Sequence, residues 1–257
     1  MTRWKITIEY NGQNYAGWQH QDGLPTIQGE IEKALQGFCQ QDIRVHGAGR
    51  TDAGVHAKGQ IAHFDLDYGE RPLTGFDLTK ALNAHLRPQP ISILNAAKVD
   101  DKFHARFSAK EKLYSYLIVN RTSFLALDQG KAWLVKKPLD TVAMQEAAYH
   151  LLGKHDFTTF RASECQAKSP ERTLDELRVE AREYDGEGGL AVLIHARAQS
   201  FLHHQVRNIV GTLVLVGEGK WQPEDVKTAL QAKDRTAGGP TAPADGLYLI
   251  RIDYPEE

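Results

Sequence analysis

The sequence predicts a mixed α/β protein built as two halves that share a packed sheet, residues 1–105 and 106–257, joined near Arg106. Three observations carry that expectation. Helical and strand-like periodicities interleave along the whole chain. Neither a low-complexity linker nor a short internal repeat breaks it into separate beads. A chain of 257 residues can bury one large α/β core or two of ordinary size.

Residues 4–10 alternate and are rich in β-branched and aromatic side chains, which reads as a strand. It opens into a polar, glycine-punctuated loop at 11–25, and a loop of that length usually has a function. Thr26 suits a helix N-cap, and Ile27, Ile31, Ala34, Leu35 and Phe38 follow at helical spacing. Strands are expected at 43–46 and 60–66, with a glycine-rich segment at 47–59 between them. The mixture repeats with a helix near 78–85, a strand near 91–99 and a strongly β-like run at 113–119. Met144, Ala147, Ala148 and Leu151 mark a further helix, while 177–183 and 190–196 look like paired strands about a glycine-rich turn. Residues 206–216 carry a third helical stripe, and 247–252 close the chain as a strand.

Composition narrows the setting. Cys39 and Cys165 lie far apart and neither belongs to a C-x-x-C pair, so a disulfide framework and a thiolate zinc site are both disfavoured. No apolar run approaches the ~20 residues needed to span a bilayer, and the expectation is a soluble, cytoplasmic protein without a membrane partner. Lys and Arg number 31 against 33 Asp and Glu, a net charge of -2 that does not advertise a polyanion binder. Phosphate contacts depend on the local field, however. Basic residues gather at Lys102, Arg106, Lys110, Lys112 and Arg121, and again at Lys154, Arg161, Lys168 and Arg172.

The segment with the most chemistry in it is Gly47-Ala48-Gly49-Arg50-Thr51-Asp52-Ala53-Gly54-Val55-His56-Ala57. A bland reading makes Asp52 the residue of an Asx-type turn with Arg50 solvated. A phosphate cradle is not supported, since neither G-x-x-x-x-G-K-[ST] nor G-x-G-x-x-G is present and no helical pattern follows at once. A lone carboxylate beside an arginine suits an ionised acid that attacks or stabilises an electron-poor sugar carbon. Glycoside hydrolysis generally uses two carboxylates; no second acid here sits in a comparable motif. That pattern fits a reaction whose leaving group is reattached rather than discarded.

Gly49-Arg50-Thr51-Asp52-Ala53-Gly54-Val55-His56 resembles the active-site motif of the tRNA pseudouridine synthase A family. The likeness extends to Tyr15-Ala16-Gly17-Trp18-Gln19, Phe103-His104-Ala105-Arg106-Phe107-Ser108-Ala109, Lys112-Leu113-Tyr114-Ser115-Tyr116 and His155-Asp156-Phe157-Thr158-Thr159-Phe160. It continues in Phe201-Leu202-His203-His204-Gln205-Val206-Arg207-Asn208 and in the run from Thr241 to Leu249. Gln205 departs from the pattern, where the family more often carries methionine.

The resemblance implies the pseudouridine synthase fold: two similar halves around an extended, mostly antiparallel mixed sheet with a central basic cleft. It implies a homodimer that isomerises uridine to pseudouridine at positions 38, 39 and 40 of the tRNA anticodon stem-loop. Asp52 would be the catalytic aspartate, Tyr114 the aromatic that stacks on the target base, Arg207 a basic partner of the active-site carboxylate, and Arg50 a support for the displaced nucleotide. A base must leave its stack before an enzyme can reach C1′, and stacking on Tyr114 would return part of that cost, about 1–3 kcal/mol per base. Without the resemblance, a strand tyrosine reads as a cross-strand packing residue, the role assigned to Tyr116, which is placed on the opposite strand face.

His203 and His204 are adjacent and lack a third ligand at suitable spacing, so no metal is expected. They are placed in the first turn of the following helix, where side chains and backbone donors would meet RNA phosphate. Apolar neighbours along that helix suggest a partly buried, paired Arg207. His56 and His63 read as structural. The implied isomerisation involves no redox change and consumes no energy, so neither a nucleotide cofactor nor a metal is expected.

Overall fold

A computed structural model describes residues 1–69 and 72–255. The chain divides into two units, one formed by Met1–Lys110 with Tyr248–Glu257 and the other by Glu111–Leu247. In chain order, the first unit opens with strand β1 (Thr2–Tyr10), helix α1 (Ile27–Cys39), strands β2 (His46–Gly47) and β3 (His56–Leu66), helix α2 (Gly75–Leu86) and strand β4 (Ile91–Lys98). The second unit contributes β5 (Glu111–Asn120), β6 (Trp133–Val135), α3 (Thr141–Tyr149), β7 (Gly153–Asp156), β8 (Glu171–Leu174), β9 (Glu176–Glu183), β10 (Leu190–Ala198), α4 (Gln205–Gly217) and α5 (Pro223–Ala232). Strand β11 (Leu247–Asp253) then returns to the first unit.

In the first unit β1 lies between β4 and β3, antiparallel to both, and β11 runs parallel to β3 through Tyr248↔His56 and Leu249↔Ala57. The alternation read in β1 buries Trp4, Ile6, Ile8 and Tyr10 as one face, as the twofold period of a strand requires. Helix α1 forms as expected: the Thr26 hydroxyl accepts from the Gly29 N–H at 3.2 Å, and Ile27, Ile31, Ala34 and Leu35 are buried. Helix α2 begins with a reciprocal cap between Thr74 and Asp77 and packs on β4 and α1.

In the second unit β10 is antiparallel to both β5 and β9, and β6 adds to β5 in parallel. Strands β7 and β8 form a separate antiparallel pair. Helix α4 is buried along almost its whole length and packs, with α5, against α3, which in turn covers β9. The class is therefore α+β with mostly antiparallel pairing, while β3 with β11 and β5 with β6 pair in parallel. Among the described residues no helix is long and apolar enough to cross a membrane.

Sequence and structure part company over short elements. Of the strand expected at 43–46 only His46 pairs, with Gly47, against His63 and Ala62 of β3; Ile43 and Val45 are buried without joining the ladder. Strands β6, β7 and β8 are three or four residues long, too short for an alternation to register. Helix α5 buries only Val226, Ala229 and Leu230, a narrow stripe, although Gln222, Pro223 and Asp225 give it a capped start.

Candidate active site

Asp52 stands in the first unit on a four-residue turn, closed by the Val55 N–H donating to the Asp52 carbonyl at 3.1 Å. Gly54 takes the third position at φ 79°, the left-handed conformation that a type II turn needs there. Beyond the turn the chain enters β3.

A turn of this kind is held by what lies against it, and here that is the loop at 11–25. The Trp18 N–H donates to the Thr51 carbonyl at 3.0 Å, the Gly54 N–H to the Tyr15 carbonyl at 3.3 Å, and the Gly12 N–H to Nδ1 of His56 at 3.1 Å. Two glycines let the backbones approach. A Cβ on Gly12 would lie 2.0 Å from the Val55 carbonyl oxygen, and one on Gly17, whose φ is 100°, would lie 2.7 Å from the Thr51 carbonyl oxygen. Side chains complete the clamp: Tyr10 and Thr51 share a hydroxyl–hydroxyl hydrogen bond of 2.8 Å, and Gln60 Nε2 donates to the Gly49 carbonyl at 2.9 Å. Burial pushes the Tyr10 phenol up to about 12, against opposing bonds from Thr51 and Gln60, so it stays protonated in this role.

Within that frame Asp52 is half-buried and Arg50 exposed. His56 is buried, accepts at Nδ1 and stacks on Tyr248 with centroids 4.7 Å apart, which supports its structural reading. His63 is buried too, accepting from the Ala105 N–H at 3.2 Å; burial first and the neighbouring His104, His46 and Arg3 next lower its pKa to about 4. A neutral, structural ring is the result.

The second unit positions the other residues singled out in the sequence. Tyr114, on β5 opposite Ala196, is 8% exposed, and the ring of Phe201 meets its ring edge-on at 5.2 Å. Phe201 opens the segment that enters α4. There the Leu202 N–H donates to Gln205 Oε1 at 2.8 Å, and the rings of His203 and His204 lie 4.0 Å apart. Tyr114 is thereby linked, through Phe201, to the stretch bearing His203, His204 and Arg207.

Arg207 is half-buried, as its apolar surroundings suggested. Its Nε donates to the Ala242 carbonyl at 2.8 Å while the Ala242 N–H returns a bond to the Arg207 carbonyl at 3.1 Å. Beside it Asn208 is wholly buried, donating to the Phe160 carbonyl at 2.9 Å and accepting from Thr241 Oγ1 at 2.6 Å and Arg235 Nη2 at 3.1 Å. The loop through Gly239–Ala242 is thus stitched to the start of α4.

Two placements require correction. The histidine pair does not lie in the first turn of α4: the helix begins at Gln205, and His204 is its cap, at φ 60°. A left-handed, non-glycine cap is a strained position, costing on the order of 1 kcal/mol or more. Tyr116 is the structural tyrosine, wholly buried with its hydroxyl donating to the Pro243 carbonyl at 2.7 Å. It does not occupy the opposite face, however, because the β5–β10 register is regular and residues two apart share a face.

The basic groups are also sorted by the structure. Lys102, Arg106 and Lys110 are exposed in the first unit. In the second, Arg121 pairs with Asp185 at 2.7 Å and Lys154 with Glu171 at 3.6 Å, which removes much of their free charge. Gln205, the departure from the family pattern, is 1% exposed and its Nε2 has no hydrogen-bond partner among the described residues. The supporting roles of Tyr10, Gly12, Thr51 and Gln60 are not legible in the sequence, because the partner of each lies in a different segment of the chain. The glycine spacing of the 11–25 loop was the available signal.

Comparison with known proteins identifies the family. The family model described as tRNA pseudouridine synthase matches residues 6–108 and 147–255. The tRNA pseudouridine synthase A of Rhodospirillum rubrum is 53% identical over 257 residues, covering 100% of this chain and 89% of that protein. Those of Rhodopseudomonas palustris and Nitrobacter winogradskyi are 55% and 54% identical over 254 residues, covering 99% of this chain and 100% and 96% of theirs. The chain belongs to the tRNA pseudouridine synthase family.

Proposed function

We propose that the protein isomerises uridine to pseudouridine at positions 38, 39 and 40 of the tRNA anticodon stem-loop, with Asp52 as the catalytic carboxylate. The carrying observation is the mounting of Asp52. Its turn is fixed from a second loop by backbone hydrogen bonds and glycine-dependent approaches, so the backbone that carries the carboxylate is set before substrate arrives. Holding a reacting group in position is itself a large part of catalysis.

In the reaction as we write it, Asp52 promotes cleavage of the C1′–N1 bond of an extruded uridine. The uracil turns, C1′ bonds to C5, and the proton displaced from C5 is balanced by one gained at N1. Atoms and oxidation state are conserved. Tyr114, stiffened by Phe201, stacks on the base and offsets the cost of flipping it. Arg207, anchored through Ala242, is the cationic partner of the reacting carboxylate, and Arg50 supports the displaced nucleotide. His203 and His204 sit where the chain turns into α4, at the positive end of the helix dipole, and take backbone phosphate. We read the protein as a cytoplasmic homodimer; light scattering in solution tests the dimer.

The deciding assay incubates pure protein with unmodified tRNA under chelator and without nucleotide. Wild type yields pseudouridine at 38–40 and Asp52→Asn yields none. Retained activity in that variant would discard the mechanism; a wild type that binds tRNA without converting it would discard the activity.

A further inference from the structure

On the first unit four rings and a guanidinium form a row that reaches solvent. Strand β2 sets His46 opposite His63, and their rings stack with centroids 5.0 Å apart at 24°. His104 meets His63 edge-on at 4.6 Å, Phe107 lies 4.4 Å from His104, and the Arg106 guanidinium lies 5.7 Å from the centre of the Phe107 ring. His63, in the middle of the row, is buried at 2% exposure, whereas Phe107 is 76% exposed and His46 and Arg106 also face water.

The backbone fixes these rings. Nδ1 of His63 accepts the Ala105 N–H, and Nδ1 of His104 accepts the Arg106 N–H at 3.2 Å and the Phe107 N–H at 3.4 Å. Both Nδ1 atoms are thus committed, and burial first, with His46 and Arg3 nearby, lowers the pKa of each ring. At neutral pH the His63 and His104 rings are therefore uncharged and held rigidly. The charge of the row comes from the rim: among the described residues no carboxylate pairs with Arg106, and Lys102 and Lys110 are exposed close by in sequence. Of the acids adjoining these residues in sequence, Asp65 is paired with Arg3 at 2.7 Å, Asp100 accepts the Lys102 N–H at 2.8 Å, and Asp101 is exposed.

Packing accounts for the buried His63 but not for a phenyl ring left in water beside a guanidinium that has no carboxylate partner among the described residues. Neutral π-faces with cations at the rim are what single-stranded nucleic acid stacks on, since every base has a face and a phosphate next to it. We propose that Phe107, His104 and His46 form a stacking platform for an unpaired nucleotide of the tRNA substrate, with Arg106 on its phosphate. This deepens the proposed function and rests on tRNA being the substrate.

The test measures Kd and steady-state kinetics with unmodified transcribed tRNA for Phe107→Ala, Phe107→Trp, Phe107→Leu and Arg106→Ala, with Leu94→Ala, an exposed apolar residue of the same unit, as control. Phe107→Ala and Phe107→Leu are expected to raise Kd and KM roughly fivefold or more while kcat at saturating tRNA is retained, and Phe107→Trp to restore binding. Arg106→Ala should lower the slope of log Kd against log salt by about one. Unchanged Kd in Phe107→Ala and Arg106→Ala would overturn the platform while leaving the activity of the wild type intact. So would Phe107→Leu binding as well as wild type, or a loss of binding that tracks dissociation of protein copies by light scattering. A wild type that binds no tRNA would overturn the functional reading itself.

Discussion

Gly12→Ala tests whether the Asp52 turn depends on the loop behind it. The added Cβ would sit 2.0 Å from the Val55 carbonyl oxygen and 2.7 Å from its carbon, where ordinary contact begins at 3.4 Å. Both atoms belong to backbone that also closes the Asp52 turn, so no side chain can swing away to relieve the overlap. The two segments must separate by roughly 1.4 Å, stretching the 3.1 Å bond from the Gly12 N–H to His56. Overpacking of this kind costs about 1–3 kcal/mol of stability, and a displacement of about 1 Å at a reacting group can cost on the order of a hundredfold in rate. We therefore expect kcat/KM for pseudouridine formation to fall about a hundredfold while Tm falls by several degrees. Gly186→Ala, whose Cβ would meet nothing within 4 Å, should leave both near wild type. Gly12→Ala enzyme within twofold of wild-type kcat/KM would refute the clamp.

Three further outcomes follow from the same geometry. His63 titrates near 4 when folded and near its ordinary 6.5 when unfolded, so the unfolded chain takes its proton first; the stability it protects is complete above 6.5, falls by up to about 1.4 kcal/mol per pH unit towards 4, and levels off below. Urea unfolding across that window should show His63→Asn with a slope shallower by about one proton, and equal slopes would contradict the buried neutral ring. Tyr116→Phe removes the 2.7 Å bond to the Pro243 carbonyl and should cost about 1 kcal/mol in unfolding free energy with kcat within a few-fold of wild type; a rate loss near that of Asp52→Asn would show that Tyr116 does more than pack. For Tyr114, the phenylalanine variant should keep kcat/KM within a few-fold whereas Tyr114→Ala loses roughly tenfold or more, and equal losses in both would rule out stacking as its contribution.

Much of this protein was legible before any coordinates. The β1 and α1 patterns name their own buried faces, because a regular element repeats its contacts with a fixed period, and Thr26 as a cap is a contact three residues long. The motif around Asp52 marks the candidate site because its residue types are chemically unusual together. Other features had no local cause. Strand β2 exists only because His46 and Gly47 meet β3; Ile43 and Val45, equally strand-like in composition, stay outside the ladder, and the Val45 N–H and carbonyl bond instead to the Glu32 and Gln28 side chains at 3.0 and 3.2 Å. The chain's last strand lies parallel to β3 across nearly two hundred intervening residues, a pairing whose stability comes from the strand it joins. Likewise the glycines of the 11–25 loop are turn residues by composition, and only the folded arrangement makes two of them the points at which one backbone grips another. Sequence by itself determined the elements whose energy is local and periodic and the residue types available for chemistry. Tertiary structure decided where short strands pair and what holds Asp52 still, because those energies belong to contacts between segments that no window along the chain contains.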